Sequence, residues 1–275
     1  SLIGFNGLDM FTLDSDKIDS NGNFMLVFHD DYKGMGFLNI HDSIKYFLVL
    51  NEKEINVFGE YHNGALSLNF INSNENRIFQ DYAIQHNQRE NALSAWKYLR
   101  QLYGESDILS NEGNQKLIND EILRIQIDDD KYLIDFDKSL FVSWYLPKRK
   151  LLEDMSNSIK RNKEDIPKYI EEFRKIDLDD SKLYHSGLYR DLLIGHFILI
   201  ENMNLPPDSI EYQTNVSINY VIKNLSKNNL LLNETALYLF NIFEKQGLTK
   251  ASEYLSLSML SNESCLLDSN IKNRF

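Results

Sequence analysis

A chain of 275 residues with 29 Lys and Arg against 41 Asp and Glu carries a formal charge of −12, which repels nucleic-acid phosphate and anionic lipid at long range and suits a basic protein partner. Its 43% hydrophobic content, with 16 Phe and 15 Tyr, excludes wholesale disorder, and a single cysteine, Cys265, excludes an internal disulfide or a cysteine-based zinc site. No apolar run reaches the roughly 18 residues of a membrane span, and the first residues lack the charged and apolar regions of a signal peptide, so a cytoplasmic setting is expected.

The stretch Asp14 to Gly22 gathers carboxylates ahead of a glycine, like the start of an EF-hand. With Gly22 in the invariant glycine place, however, the first ligand falls on Lys17 and the bidentate acid on Phe28, neither of which coordinates calcium. It is read as a polar turn before the first strand.

From Phe24 to Gln85 short apolar runs are broken by Gly, Asn and Asp, which is strand punctuation. Strands are expected at Phe24 to His29, Gly36 to Ile40, Lys45 to Leu50, Ile55 to Tyr61, Ala65 to Ile71 and Ile78 to Ile84. Asn63-Gly64 between alternating residues predicts a type I′ hairpin turn. Asn87 to Tyr103 changes to helical spacing through Leu93, Trp96 and Leu99, giving a helix that covers the sheet. Two further strands, Glu121 to Ile127 and Tyr132 to Phe136, are expected around an Asp128-Asp129-Asp130-Lys131 turn, with Leu140 to Tyr145 as a third.

Pro147 followed by Lys148-Arg149-Lys150 reads as a linker, after which strand signals stop. Helices are expected at Lys150 to Arg161, Glu164 to Ile176, Gly187 to Met203, Ser209 to Ser226, Asn233 to Gln246 and Lys250 to Leu260, with a polar tail after Ser261. The helix at Gly187 to Met203 is apolar nearly all round, the mark of a buried helix; Ser186 would cap it and Pro206-Pro207 would end it. The fold class is therefore α+β, with a β-rich α+β domain at 1–147, mostly antiparallel sheet and one covering helix, and an all-α helical bundle at 148–275.

Catalytic signatures are sparse. His29-Asp30 and His41-Asp42 fall at expected strand ends, not on the facing helices that metal phosphohydrolase ligands need. The six histidines include no His-Glu-x-x-His, and no nucleophile elbow, phosphate loop or dinucleotide fingerprint occurs. No cofactor and no metal are expected. Asp129-Asp130-Lys131 with Glu121 is similar to the acid-x-Lys arrangement of restriction-type nucleases, but solvated turn acids account for it.

Arg190-Asp191-Leu-Leu-Ile-Gly-His196 resembles the arginine, polar residue, four residues, histidine pattern of HEPN-type ribonucleases over seven residues. That resemblance implies that Arg190 and His196 act on RNA phosphate, with the imidazole in acid-base work. The competing reading makes His196 a core histidine in a Leu192, His196, Leu199, Met203 stripe and gives Arg190 a neighbouring acid such as Glu201. Two acidic clusters, Asp128, Asp129 and Asp130 with Asp135 and Asp137, and Asp177 with Asp179 and Asp180, suit a cationic partner. The expectation is a non-catalytic binding protein, a bacterial immunity or inhibitor protein that masks a basic toxin or nuclease. The alternative is a HEPN-like ribonuclease using Arg190 and His196.

Overall fold

The computed structural model describes residues 1–40, 44–62, 65–105, 108–109, 111–161 and 163–261. The expected Asn63-Gly64 turn, His41-Asp42, Cys265 and the tail from 262 lie outside the described residues. The architecture is α+β: an N-terminal antiparallel sheet of four strands and a small second sheet, followed by a series of helices. The chain sorts into two units, 1–47 with 148–275, and 48–147. The expected halves share the border at Pro147, and a second one follows Phe47.

The first unit begins with a hairpin that the sequence reading passed over. Strands β1 (Leu2–Asn6) and β2 (Asp9–Asp14) pair antiparallel across the two-residue loop Gly7-Leu8, where Gly7 takes a φ of +59°. Asn6-Gly7 between alternating residues was the available signal. β3 (Gly34–Ile40) pairs antiparallel with β1, and β4 (Ile44–Leu50) closes the order β2-β1-β3-β4. The expected strand at Phe24 to His29 is not one. This segment hangs from side chains, with the N–H of Met25 donating to Asp16 (3.1 Å) and that of Val27 to Asp14 (2.7 Å).

Within this unit the sheet docks on the chain around Tyr184 to Gly187 through backbone bonds, Gly7 N–H to Tyr184 (2.8 Å) and Met35 N–H to His185 (2.8 Å). Two glycines permit the approach. A Cβ on Gly34 would sit 2.3 Å from the His185 carbonyl oxygen, and one on Gly187, already at φ +75°, would sit 2.8 Å from the Phe5 ring. Buried Tyr32 ties the strands together: its hydroxyl accepts from Phe5 N–H and donates to the Met35 carbonyl, both at 2.7 Å.

The helices of this unit follow the expected positions closely. They are the end of α3 (Phe141–Arg161), α4 (Ile166–Phe173), the short α5 (Ser181–Tyr184), α6 (Tyr189–Glu201), α7 (Pro207–Leu225), α8 (Asn229–Gln246) and α9 (Thr249–Ser261). α6 is the buried one, with Leu192, Leu193, Leu199 and Ile200 each 0% exposed, so each contributes about 1.5–3 kcal/mol of burial. Its ends differ from expectation. Ser186 accepts from Leu188 N–H ahead of the helix, the helix stops at its C-cap Asn202, and Pro207 opens α7. α8 starts earlier than expected, since the Asn228 side chain accepts from Leu231 N–H, and it ends on left-handed Gly247.

The second unit holds a hairpin of β5 (Val57–His62) and β6 (Ala65–Phe70), then α1 (Asn74–Glu105), α2 (Glu112–Ile134) and the start of α3. β5 and β6 pair from Val57 and Phe70 to His62 and Ala65, the pairing expected of that hairpin. The strands expected at Ile78 to Ile84 and Glu121 to Ile127 are helical throughout, and those expected at Tyr132 to Phe136 and Leu140 to Tyr145 fall on the end of α2 and the start of α3. In α2 the buried residues are Ile118, Ile122, Ile125, Asp129 and Leu133, a helical stripe with a carboxylate in one place. Leu123, Arg124, Ile125, Gln126 and Ile127 imitate strand alternation, yet Leu123 and Ile127 are exposed. Pro147 to Lys150, expected as a linker, lie inside α3.

Candidate functional site

The acidic residues expected to face a partner divide between the units. In the second unit Asp129 corrects the sequence reading outright. It sits on α2, not on a turn, is 2% exposed, and accepts from His86 Nδ1 (3.1 Å) and Arg89 Nη1 (3.3 Å) of α1. Tyr82 stacks on the His86 ring, and the Arg89 guanidinium lies 5.2 Å from the Tyr132 ring centroid. A carboxylate held in this way joins two helices and has no face for a partner. Asp128 pairs with Arg124 at 2.7 Å, and Arg124 also holds Glu121, whose carboxyl its hydrogen bonds keep below the usual range. Asp130 is exposed, Asp135 is the C-cap of α2, and Asp137 accepts from Ser139 N–H, which holds its carboxyl below the usual range.

The second cluster belongs to the first unit, at the turn between α4 and α5. Asp177 Oδ1 accepts from Asp179 N–H (3.1 Å), Asp179 Oδ1 from the Asn228 amide (2.7 Å), and Asp180 Oδ1 from Lys182 N–H (2.9 Å), which makes Asp180 the N-cap of α5. Asp177 and Asp179 are exposed and Asp180 is half-buried, so the three carboxylates are fixed in place at the surface.

Arg190 and His196 are not brought together. The Arg190 Nε donates to the Tyr238 hydroxyl at 2.7 Å, with the guanidinium over that ring. His196 is 0% exposed, stacked on Phe173 at 3.9 Å between centroids, edge-on to Phe197, and bonded through Nε2 to Ser217 Oγ at 2.8 Å. Arg174 Nη2 donates to the same Oγ at 2.9 Å. Burial, and then the Arg174 charge, push the imidazole pKa well below its ordinary value, so it is neutral near pH 7. His196 Nδ1 has no hydrogen-bond partner. The partner foreseen for Arg190 was an acid; the fold supplies a tyrosine.

The sequence reading missed the surface around β2. Asp14, Asp16 and Asp19, read as a polar turn, clip the loop after β2 back on itself: Asp19 accepts from the N–H of Asn21 and Asn23, both at 2.8 Å, beside the Asp14 and Asp16 bonds above. These backbone bonds hold the carboxyls of Asp14 and Asp19 below the usual range. The loop leaves Met25 and Val27 exposed beside Met10 and Phe11 of β2, over a cavity of about 510 Å³ lined by Phe11, Leu13, Val27 and Phe28.

Among the described residues no group of three or more His, Cys, Asp or Glu could hold a metal ion, and no helix is long and apolar enough to cross a membrane. No protein-family model, curated protein or solved structure matches this chain.

Proposed function

We propose that the chain is a non-catalytic binding protein, an immunity or inhibitor protein of a bacterial cytoplasm that masks the basic surface of a toxin or nuclease. The observation that carries this reading is the Asp177, Asp179 and Asp180 turn. Its three carboxylates are pinned by two nearby backbone N–H groups and by the Asn228 amide, so a cationic partner meets them already ordered and less side-chain entropy is lost on binding. The formal charge of −12 adds a long-range field of the same sign, which raises the encounter rate with a basic protein and repels RNA. Asp130, Asp135 and Asp137 are exposed and add acidic surface to the second unit, while Asp129 is enclosed within the fold.

The test is to isolate the chain from its native host, identify a stoichiometric partner, and measure association against salt for the parent and an Asp177→Asn, Asp179→Asn, Asp180→Asn triple variant. Association should slow by about tenfold at low salt and its salt dependence should flatten, with dissociation little changed. Stoichiometric nucleic acid, or an unchanged association rate, would overturn the reading.

A further inference from the structure

We infer that the outer edge of β2 is a strand-addition site for an extended segment of a partner protein, apolar in its middle and basic at both ends. The inference rests on the reading of this chain as a binder of a basic protein and assigns it a second, separate contact.

Among the described residues β2 pairs with β1 alone. Across the two-residue loop Gly7-Leu8 the Asn6 and Asp9 pair is the hydrogen-bonded kind, so the pairs alternate and Met10 and Thr12 turn their N–H and C=O groups away from β1. Phe5, opposite Met10, agrees with that phase: its N–H goes to the Tyr32 hydroxyl. The segment that could have covered this edge, Phe24 to His29, is carried by the carboxylates of Asp14 and Asp16 and does not pair with it. Between Phe11, Thr12 and Leu13 of β2 and the segment Val27 to Asp30 lies a cavity of about 510 Å³, a place for alternate side chains of an added strand. Met10 at 60%, Met25 at 75% and Val27 at 65% exposure supply more apolar surface beside it.

The charges select the occupant. Residues 9–33 contain six Asp and two Lys. At the hairpin end of β2, Asp9 and Glu234 are near enough for the Asp9 charge to add to burial in raising the Glu234 carboxyl. At the other end Asp30 lines the cavity and Asp31 pairs with His29 at 3.2 Å. A strand with Lys or Arg at its ends meets carboxylates at both, while an acidic strand, or a second copy of β2, meets like charge.

The probe is the capped peptide Lys-Arg-Val-Thr-Val-Thr-Val-Lys-Arg, with a counterpart carrying Glu at the four basic places. The full chain is titrated while backbone amide exchange is followed by NMR. The basic peptide should bind, slow exchange at Met10 and Thr12 by at least about tenfold, and bind about tenfold or more tightly than the acidic one. Thr12→Pro removes an outward donor from an edge strand, a position that tolerates proline, and should weaken the peptide by about tenfold. Phe11→Ser, which strips the cavity wall, should do the same and serves if the proline variant does not fold. No binding, equal binding of the acidic peptide, or protection elsewhere would overturn the inference. So would a dimer of the parent lost in Thr12→Pro, which would give the edge to a second copy. Binding that is insensitive to Thr12→Pro but abolished by the Asp177, Asp179 and Asp180 triple variant would remove the edge site and leave the binding-protein reading standing.

Discussion

His196 offers a quantitative test of the buried-core account, because its neutrality is a statement about stability against pH. The imidazole lies sealed between Phe173 and Phe197, beside Arg174, and its pKa is driven well below the ordinary value of 6.5. In the unfolded chain it titrates near about 6.5. Below that pH the unfolded state gains a proton that the folded state does not take up. The unfolded state then binds more protons, and stability falls as pH falls. From pH 7.5 to 5.5 the loss is RT ln(11/1.1), or about 1.4 kcal/mol, for a folded value well under 5.5. Urea unfolding of the parent and of His196→Gln at both pH values isolates this contribution, since His185, whose pKa burial also lowers, is common to both proteins and cancels. Ellipticity is the right observable, because Trp96 and Trp144 both belong to the other unit. The parent should lose about 1.4 kcal/mol more than the variant over the interval. Equal losses would refute a sealed, neutral histidine and return His196 to the candidates for solvent-facing chemistry.

In α2, Asp129→Ala should cost about 3–5 kcal/mol in urea unfolding followed by tryptophan fluorescence, because Arg89 and His86 lose their buried partner, and a loss under about 1 kcal/mol would contradict that burial. Gly34→Ala should destabilise by about 1–3 kcal/mol or more, since its Cβ would lie 2.3 Å from the His185 carbonyl; a wild-type melting temperature would contradict that packing. The carboxyls of Asp14 and Asp19 are held below their ordinary value, so their bonds are complete above the unfolded pKa and are lost as pH falls through the folded one. Exchange protection at Val27 and Asn23 should therefore fade below about pH 4. Limited proteolysis should spare the bonds from Leu146 to Lys150, which are helical, and a rapid nick there would argue for the linker that the sequence suggested.

Much of the helical half was legible because its signals are local. The apolar circumference of α6, the Gly247 stop and the spacing along α7 to α9 depend on neighbours three or four residues away, and the structure has helices at those places. The acidic composition and the hairpin pairing of β5 with β6 were equally local. Along α1 and α2 the same kind of evidence misled. A strand and a buried helix cannot be told apart over six residues, and Asp129 in a core position broke the stripe that would have shown the period. Its suitability for that position came from His86 and Arg89, more than 39 residues earlier, and no local pattern encodes a partner at that distance. Arg190 and His196 make the same point. Their spacing was visible in the sequence, but one helix can send two side chains to different neighbours, and it was Tyr238, Phe173 and Ser217 from other elements that gave each its surroundings. Sequence determined the helices of the C-terminal part and the charge the chain carries; tertiary packing decided which polar groups are enclosed, because burial is a property of what other segments bring.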